Sequence, residues 1–181
     1  MVELFKTIIA DFHQRKLPGP ITPRELTVPL NSGKIISIIG PRRTGKTWFL
    51  YFLINTLRKT VDPVRIVYIN FEDERVDIGK ENLQEIIDAY QQLYPAVELP
   101  EVYFFFDEIQ EVEGWEKFVR RVHDTISTKL WITGSSSRVM GREIASSLRG
   151  RALTFTLFPF SFCEYLRYHG LSPELKHSSR E

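Results

Sequence analysis

A short β-branched run, Ile35–Ile39, leads directly into Gly40-Pro41-Arg42-Arg43-Thr44-Gly45-Lys46-Thr47. The run reads as a buried strand. The eight residues after it fit G-x-x-x-x-G-K-[ST] in full, and Lys46–Lys59 then carries Phe49, Leu50, Leu53 and Leu57 at helical spacing. A strand, a glycine-bounded loop and a helix in immediate succession build an anion cradle. The glycines let backbone N–H groups turn inward on phosphate oxygens. The helix N-terminus adds its partial positive charge. In such a loop Lys46 reaches the β- and γ-phosphates of a nucleotide, and the Thr47 hydroxyl ligates Mg²⁺. The candidate nucleotide-binding set is therefore Gly40, Pro41, Arg42, Arg43, Thr44, Gly45, Lys46 and Thr47, with Trp48 beside them. At least one of Arg42 and Arg43 is expected to face solvent or a partner.

Apolar runs and helical patterns alternate along the rest of the chain. Val2–Arg15 predicts a helix, with Leu4, Phe5, Ile8, Ile9 and Phe12 on one face. Pro18-Gly19-Pro20 and Pro23 break the chain into a linker, so residues 1–24 read as a helix plus linker and 25–168 as the main domain. Strands are expected at Arg65–Asn70, Val102–Phe106, Leu130–Thr133 and Ala152–Phe158. Helices are expected at Asn82–Leu93, with Leu83, Ile86, Ile87 and Tyr90 inward, and on a face marked by Trp115, Phe118, Val119, Val122 and Ile126. Two further helices are marked by Val139, Met140, Ile144 and Leu148, and by Ser161–Tyr168. Phe155, Phe158, Phe160 and Phe162 alternate as strand and core residues, Cys163 reads as a small core residue, and Ser178–Glu181 as a disordered tail. Strands alternating with helices define an α/β domain with a mostly parallel sheet, and wholly apolar strands agree, because such sheets are covered on both faces.

Val102-Tyr103-Phe104-Phe105-Phe106-Asp107-Glu108 is an apolar strand that ends in two carboxylates. Burying charge without a partner is costly, and a magnesium ion supplies the reason for these two. Asp107 would hold the ion, and Glu108 would polarise the attacking water as general base. The chain lacks an Asn/Thr-Lys-x-Asp guanine-reading segment, because Thr128-Lys129-Leu130-Trp131 has no aspartate. ATP is therefore the expected nucleotide.

Trp131-Ile132-Thr133-Gly134-Ser135-Ser136-Ser137 places hydroxyls at the carboxyl end of the next strand, where ligands bind in sheets of this type. Ser135, and secondarily Thr133, is a candidate sensor of the γ-phosphate; a Ser-rich helix cap is the other reading. Arg149 and Arg151 are candidate arginine fingers across a subunit interface, with Arg138 and Arg142 as weaker ones. The four histidines, His13, His123, His169 and His177, form no metal-spaced set.

Composition bounds what else the chain can be. Its 181 residues, 43% hydrophobic and 26% charged, suit one soluble domain. No apolar run approaches the ~18 residues that cross a bilayer. Glu3, Lys6 and Asp11 interrupt any signal-like core, and the single cysteine precludes an internal disulfide, so a cytoplasmic location is expected. The net charge of +1 indicates no nucleic-acid partner. Residues 1–60 hold ten Lys or Arg against three Asp or Glu, and residues 61–127 hold six against sixteen. That asymmetry reads as solvated surface, or as two faces that meet in an oligomer.

Residues 26–168 resemble the prokaryotic AAA-type ATPases of the archaeal-ATPase and signalling-NTPase kind. The resemblance is carried by GPRRTGKT at Gly40–Thr47, by Phe105–Gln110 followed by Gly114-Trp115, by Ile132–Ser137, and by Leu148–Arg151 with Leu157–Phe162. It implies a five-stranded sheet in the order 5-1-4-3-2, a Mg²⁺-dependent ATPase with Glu108 as catalytic base and Ser135 as sensor, and a homo-oligomer completed by Arg149 or Arg151. It also implies a helical lid and a further C-terminal domain, of which residues 169–181 would be the truncated start. The alternative function is a nucleotide-dependent switch or scaffold with negligible turnover, in a DNA-linked or mobile-element context.

Overall fold

The computed structural model describes residues 1–76, 83–135 and 147–171. Its elements run α1 (Val2–Gln14), β1 (Ile35–Gly40), α2 (Lys46–Leu57), β2 (Ile66–Asn70), α3 (Gln84–Leu93), β3 (Tyr103–Asp107), α4 (Trp115–Thr125), β4 (Leu130–Ser135), β5 (Ala152–Thr156) and α5 (Phe162–Tyr168). The five strands form one sheet in the order β2-β3-β4-β1-β5, and every adjacent pair is parallel. This is the expected 5-1-4-3-2 order of an α/β P-loop fold.

Alternate residues of β1 to β4 feed opposite cores, which is why these strands are mostly apolar, whereas β5, at the sheet edge, has no fully buried residue and carries Thr154 and Thr156. Val67, Ile69, Phe104, Phe106 and Ile132 pack with α1, α3 and α4 on one face. Ile36, Ile38, Tyr68, Phe105 and Trp131 pack with α2 on the other, where the Phe105 and Trp131 rings stack 4.8 Å apart. Each fully buried side chain of this size contributes roughly 1.5–3 kcal/mol. The periodic faces fall where their spacing predicts: Ile86, Ile87 and Tyr90 of α3, and Trp115, Phe118, Val119 and Val122 of α4, are buried. In α1, Phe5, Ile8 and Ile9 join the first core and Phe12 the second, so the N-terminal helix belongs to the same packed unit as the sheet.

The chain departs from the sequence reading at β5. The strand stops at Thr156, not Phe158, and Pro159 follows with no N–H to offer a ladder. Beyond it the alternation of phenylalanines no longer maps onto the faces of a sheet. Phe158, Phe160 and Phe162 are 66%, 44% and 65% exposed, and so are not core residues. Cys163 is only partly buried. Of the helix marked by Val139, Met140, Ile144 and Leu148, only Leu148 lies within the described residues, and it is fully buried. Arg138, Arg142, Ser136, Ser137 and the tail from 172 lie outside them. No helix among the described residues is long and apolar enough to cross a membrane.

Candidate nucleotide-binding site

The site lies at the carboxyl ends of β1, β3 and β4. The register sets Gly40 beside Ser135 and Asn70 beside Asp107, so the phosphate loop, the acidic pair and the polar end of β4 share one edge. Gly40 is required there by contact. A Cβ on it would lie 2.2 Å from the Leu157 carbonyl oxygen, whose residue is fixed by donating its N–H to Ile39 O at 2.7 Å. Gly45, at φ +90°, makes the left-handed turn into α2.

Lys46 is buried, although it is a lysine. Its Nζ donates to Gly40 O, Pro41 O and Ser135 Oγ, each at 3.2 Å, and stands 3.1 Å from Glu108 Oε1. Glu108 sits at φ +52°, a left-handed conformation unusual for a residue with a side chain, and this turns its carboxylate back over the loop. Glu108 Oε2 accepts from the Ser135 N–H at 2.8 Å and from Gln110 Nε2 at 2.8 Å. Burial pushes its carboxyl up, but the Gln110 hydrogen bond, the Lys46 charge and the Ser135 donor outweigh that, and the group is held below the usual glutamate value.

Asp107 is fully buried. One oxygen accepts from the Thr133 hydroxyl and the other from the Tyr68 hydroxyl at 2.8 Å. The Thr47 hydroxyl also interacts with it. Burial dominates and raises its pKa despite these donors. Thr133 serves a second neighbour by accepting the Glu108 N–H at 2.9 Å. Thr133 thus ties the Asp107 carboxylate to the Glu108 backbone, while Ser135 faces Lys46 and the Glu108 carboxylate. For a magnesium ion the donor set fits. Mg²⁺ favours one or two carboxylates, water and substrate phosphate over an all-protein cage, and Asp107 with the Thr47 hydroxyl offers that minimal set.

Arg42 and Arg43 are both exposed, and Arg42 stands 4.0 Å from Glu72. Arg43 lines a cavity of about 540 Å³ on the outer side of the loop, together with Ile21, Gly45, Trp48, Phe52 and Phe160. Trp48, placed at the site from its position in the sequence, therefore borders this cavity rather than the phosphate cradle. Arg149 and Arg151 are at the other end of the sheet. Arg151 O accepts from the Ile35 N–H at the start of β1, roughly 17 Å of strand away from the loop. Arg151 Nε pairs with Asp124 at 2.8 Å. Neither arginine belongs to the site of its own chain.

Two contributors were missed from the sequence. Tyr68 looks like one more apolar-strand residue, and only the β2–β3 pairing reveals its hydroxyl at Asp107. Arg24, at the end of a linker, donates to the Thr44 carbonyl at 2.9 Å; no spacing signal marks it.

A family model described as AAA domain matches residues 32–166. An uncharacterized protein of Methanocaldococcus jannaschii, MJ1544, is 37% identical over 179 residues, covering 98% of this chain and 38% of that protein. An uncharacterized protein of Haemophilus influenzae is 34% identical over 134 residues, covering 74% of this chain and 32% of that protein. The chain thus matches about a third of the length of these curated relatives. Among solved structures, PCH-2 of C. elegans aligns with a TM-score of 0.46 at 15% identity, over 97% of this chain and 49% of that one. With the family model extending over most of its length, from just before β1 into α5, the chain belongs to the AAA domain family of P-loop nucleotide-binding modules.

Proposed function

We propose that this chain binds Mg·ATP in the Gly40–Thr47 loop and hydrolyses it. The observation that carries the reading is the convergence of Lys46, Glu108 and Ser135 over the loop, with Asp107 and Thr47 beside them. Lys46 is shared between Glu108 and two loop carbonyls. On binding, Lys46 turns to the β- and γ-phosphates, and the backbone N–H groups at the start of α2 receive the remaining oxygens. Glu108 is then released from Lys46. Ser135 and Gln110 keep its carboxylate aimed while it orients the attacking water. Asp107, fixed by Tyr68 and Thr133, would hold Mg²⁺ with Thr47, and the ion would neutralise charge on the phosphates. The 540 Å³ cavity suits the nucleoside: it is mostly apolar and adjoins Gly45. Arg149 or Arg151 would act on a neighbouring subunit's site.

A switch with negligible turnover is the second reading, favoured by the direct Lys46–Glu108 pair, which occupies both groups at once. Calorimetric titration with Mg·ATP and Mg·GTP, followed by phosphate release from the same samples, separates the two. ATP binding with release supports the ATPase, binding without release supports the switch, and no binding rejects both.

A further inference from the structure

The Arg24 side chain is 6% exposed and joins three segments distant in sequence. Nη1 donates to the Thr44 carbonyl at 2.9 Å and Nη2 to the Phe158 carbonyl at 2.5 Å. Nε stands 3.0 Å from Glu164 Oε1. The guanidinium carbon lies 4.8 Å from the centre of the Phe160 ring, and Nη1 lies 3.6 Å from where a Cβ on Gly45 would be. Glu164 is as enclosed as its partner. It accepts from the Glu25 N–H at 2.6 Å and the Ser161 N–H at 2.9 Å, the latter as half of a capping box that starts α5.

Two consequences follow from this geometry. A trans peptide is planar, and its C=O and N–H point in opposite directions. With the Thr44 carbonyl held by Arg24, the Gly45 N–H points away from Arg24, as a donor to a phosphate oxygen in this loop would have to. The second consequence concerns α5. Its one buried side chain is Glu164, while Phe162, Tyr165 and Tyr168 are 65%, 51% and 64% exposed. Polar contacts centred on Arg24, and not apolar packing, therefore hold this helix to the domain.

We propose that Arg24 is a positioning residue for the phosphate loop, and that its ion pair with Glu164 makes the docking of α5 respond to nucleotide. The proposal rests on the reading of the loop as a nucleotide site. Phosphate binds best to the loop conformation that Arg24 enforces, and Arg24 is in place only when Glu164 is docked. Linkage is reciprocal: nucleotide tightens α5 by the same factor by which docked α5 tightens nucleotide. Arginine suits the task because its planar fork serves two carbonyls and a carboxylate at once, which a lysine cannot do.

Cys163, the single cysteine of the chain, lies in α5 beside Glu164 and reads the docking without mutation. Its alkylation by N-ethylmaleimide is timed with and without Mg·ATP, alongside the Mg·ATP dissociation constant, in wild type, Arg24→Gln, Arg24→Lys and Glu164→Gln. Glu164→Gln keeps an oxygen that can cap α5 and loses the charge together with the acceptor that faces Arg24 and the Glu25 N–H, so it carries the test if Arg24→Gln does not fold by circular dichroism. In wild type, Mg·ATP should slow alkylation about fivefold or more. In Glu164→Gln and Arg24→Gln the slowing should vanish and affinity should fall about tenfold, with Arg24→Lys recovering part of the affinity. Folded variants with wild-type affinity and wild-type protection of Cys163 would overturn the proposal. Wild type that binds Mg·ATP with unchanged alkylation defeats the coupling alone, whereas wild type that binds no nucleotide defeats the functional reading and this proposal with it.

Discussion

Lys46 Nζ stands 3.1 Å from Glu108 Oε1, so the loop lysine and the candidate base neutralise each other across the phosphate cradle. Both side chains are under 10% exposed, at 3% and 8%. Phosphate must compete with Glu108 for Lys46, and this predicts opposite outcomes for the two residues. Glu108→Gln should lower turnover about 10²–10⁴-fold, the range for loss of a general base, while Mg·ATP affinity is kept or improved. Lys46→Ala should lose binding itself. Phosphate release and calorimetry on the same preparations check both. Wild-type turnover in Glu108→Gln would remove it as base.

Gly40 gives a prediction of stability. Its substituent direction is blocked by backbone, the Leu157 carbonyl, which cannot swing aside as a side-chain end would. Gly40→Ala should cost about 1–3 kcal/mol as overpacking. Thermal unfolding should show this as a loss of about 2–12 °C for a domain of this size. Because Leu157 is tethered to Ile39, the loop entrance must shift with it, so nucleotide affinity should fall as well.

Tyr68 gives a prediction about magnesium. Its hydroxyl donates to Asp107 Oδ2 at 2.8 Å, and burial, reinforced by the Asp107 charge, pushes its pKa far above the ordinary tyrosine value, so it stays a donor at every working pH. Tyr68→Phe keeps the ring stacked 4.9 Å from Phe12 and removes the donor to Asp107 together with the hydroxyl's contact with Tyr51. The concentration of Mg²⁺ giving half-maximal ATP binding should rise about ten- to a hundredfold, in keeping with the loss of one hydrogen bond to a charged metal ligand. An unchanged magnesium requirement would show that Asp107 needs no such support.

The part of the site written in consecutive residues was legible in the sequence. Gly40–Thr47 and Asp107-Glu108 carry their chemistry in adjacent positions, and the strand-helix alternation fixed which ends of which strands would meet. Groups that act through pairing across the sheet were not legible. Tyr68 hides in an apolar strand, and Thr133 ranked below Ser135 because spacing cannot show that one hydroxyl joins the Asp107 carboxylate to the Glu108 backbone. Arg24 sits in a proline-rich stretch with no periodicity, and its partners are 20 and 140 residues away. The phenylalanines after Thr156 misled because alternation signals burial only while the strand lasts.

His13 links pH to stability. Nε2 lies 2.8 Å from the Ile66 carbonyl and so donates to it, which leaves Nδ1 to accept the Tyr94 hydroxyl at 2.8 Å. Burial is the largest influence and lowers the His13 pKa below its ordinary 6.5, with Arg58 acting in the same direction. The neutral ring also satisfies both bonds, whereas a protonated ring would set two donors against the Tyr94 hydroxyl and force it to turn. The unfolded chain takes up the proton as pH falls through about 6.5 while the folded chain does not, so stability should fall from that pH downward until the folded value is reached. The slope is at most about 1.4 kcal/mol per pH unit from this group. Urea unfolding between pH 7.5 and 5.5 should show the decline in wild type and a flatter profile in His13→Gln. Equal slopes in the two proteins would assign the decline to other groups.

Trp48 offers a direct reading of where the nucleoside sits. The chain has three tryptophans, and Trp115 and Trp131 are 6% and 2% exposed in the cores while Trp48 is 50% exposed on the wall of the 540 Å³ cavity. A base entering that cavity would contact the Trp48 indole and exclude water from it. Titration with Mg·ATP should change the intrinsic fluorescence with the same midpoint as calorimetry, and Trp48→Phe should abolish the change while reducing affinity about threefold to tenfold, within the range for loss of an aromatic contact. Binding that leaves wild-type fluorescence untouched would place the base outside the cavity and leave Gly45, Lys46 and Thr47 holding phosphate alone.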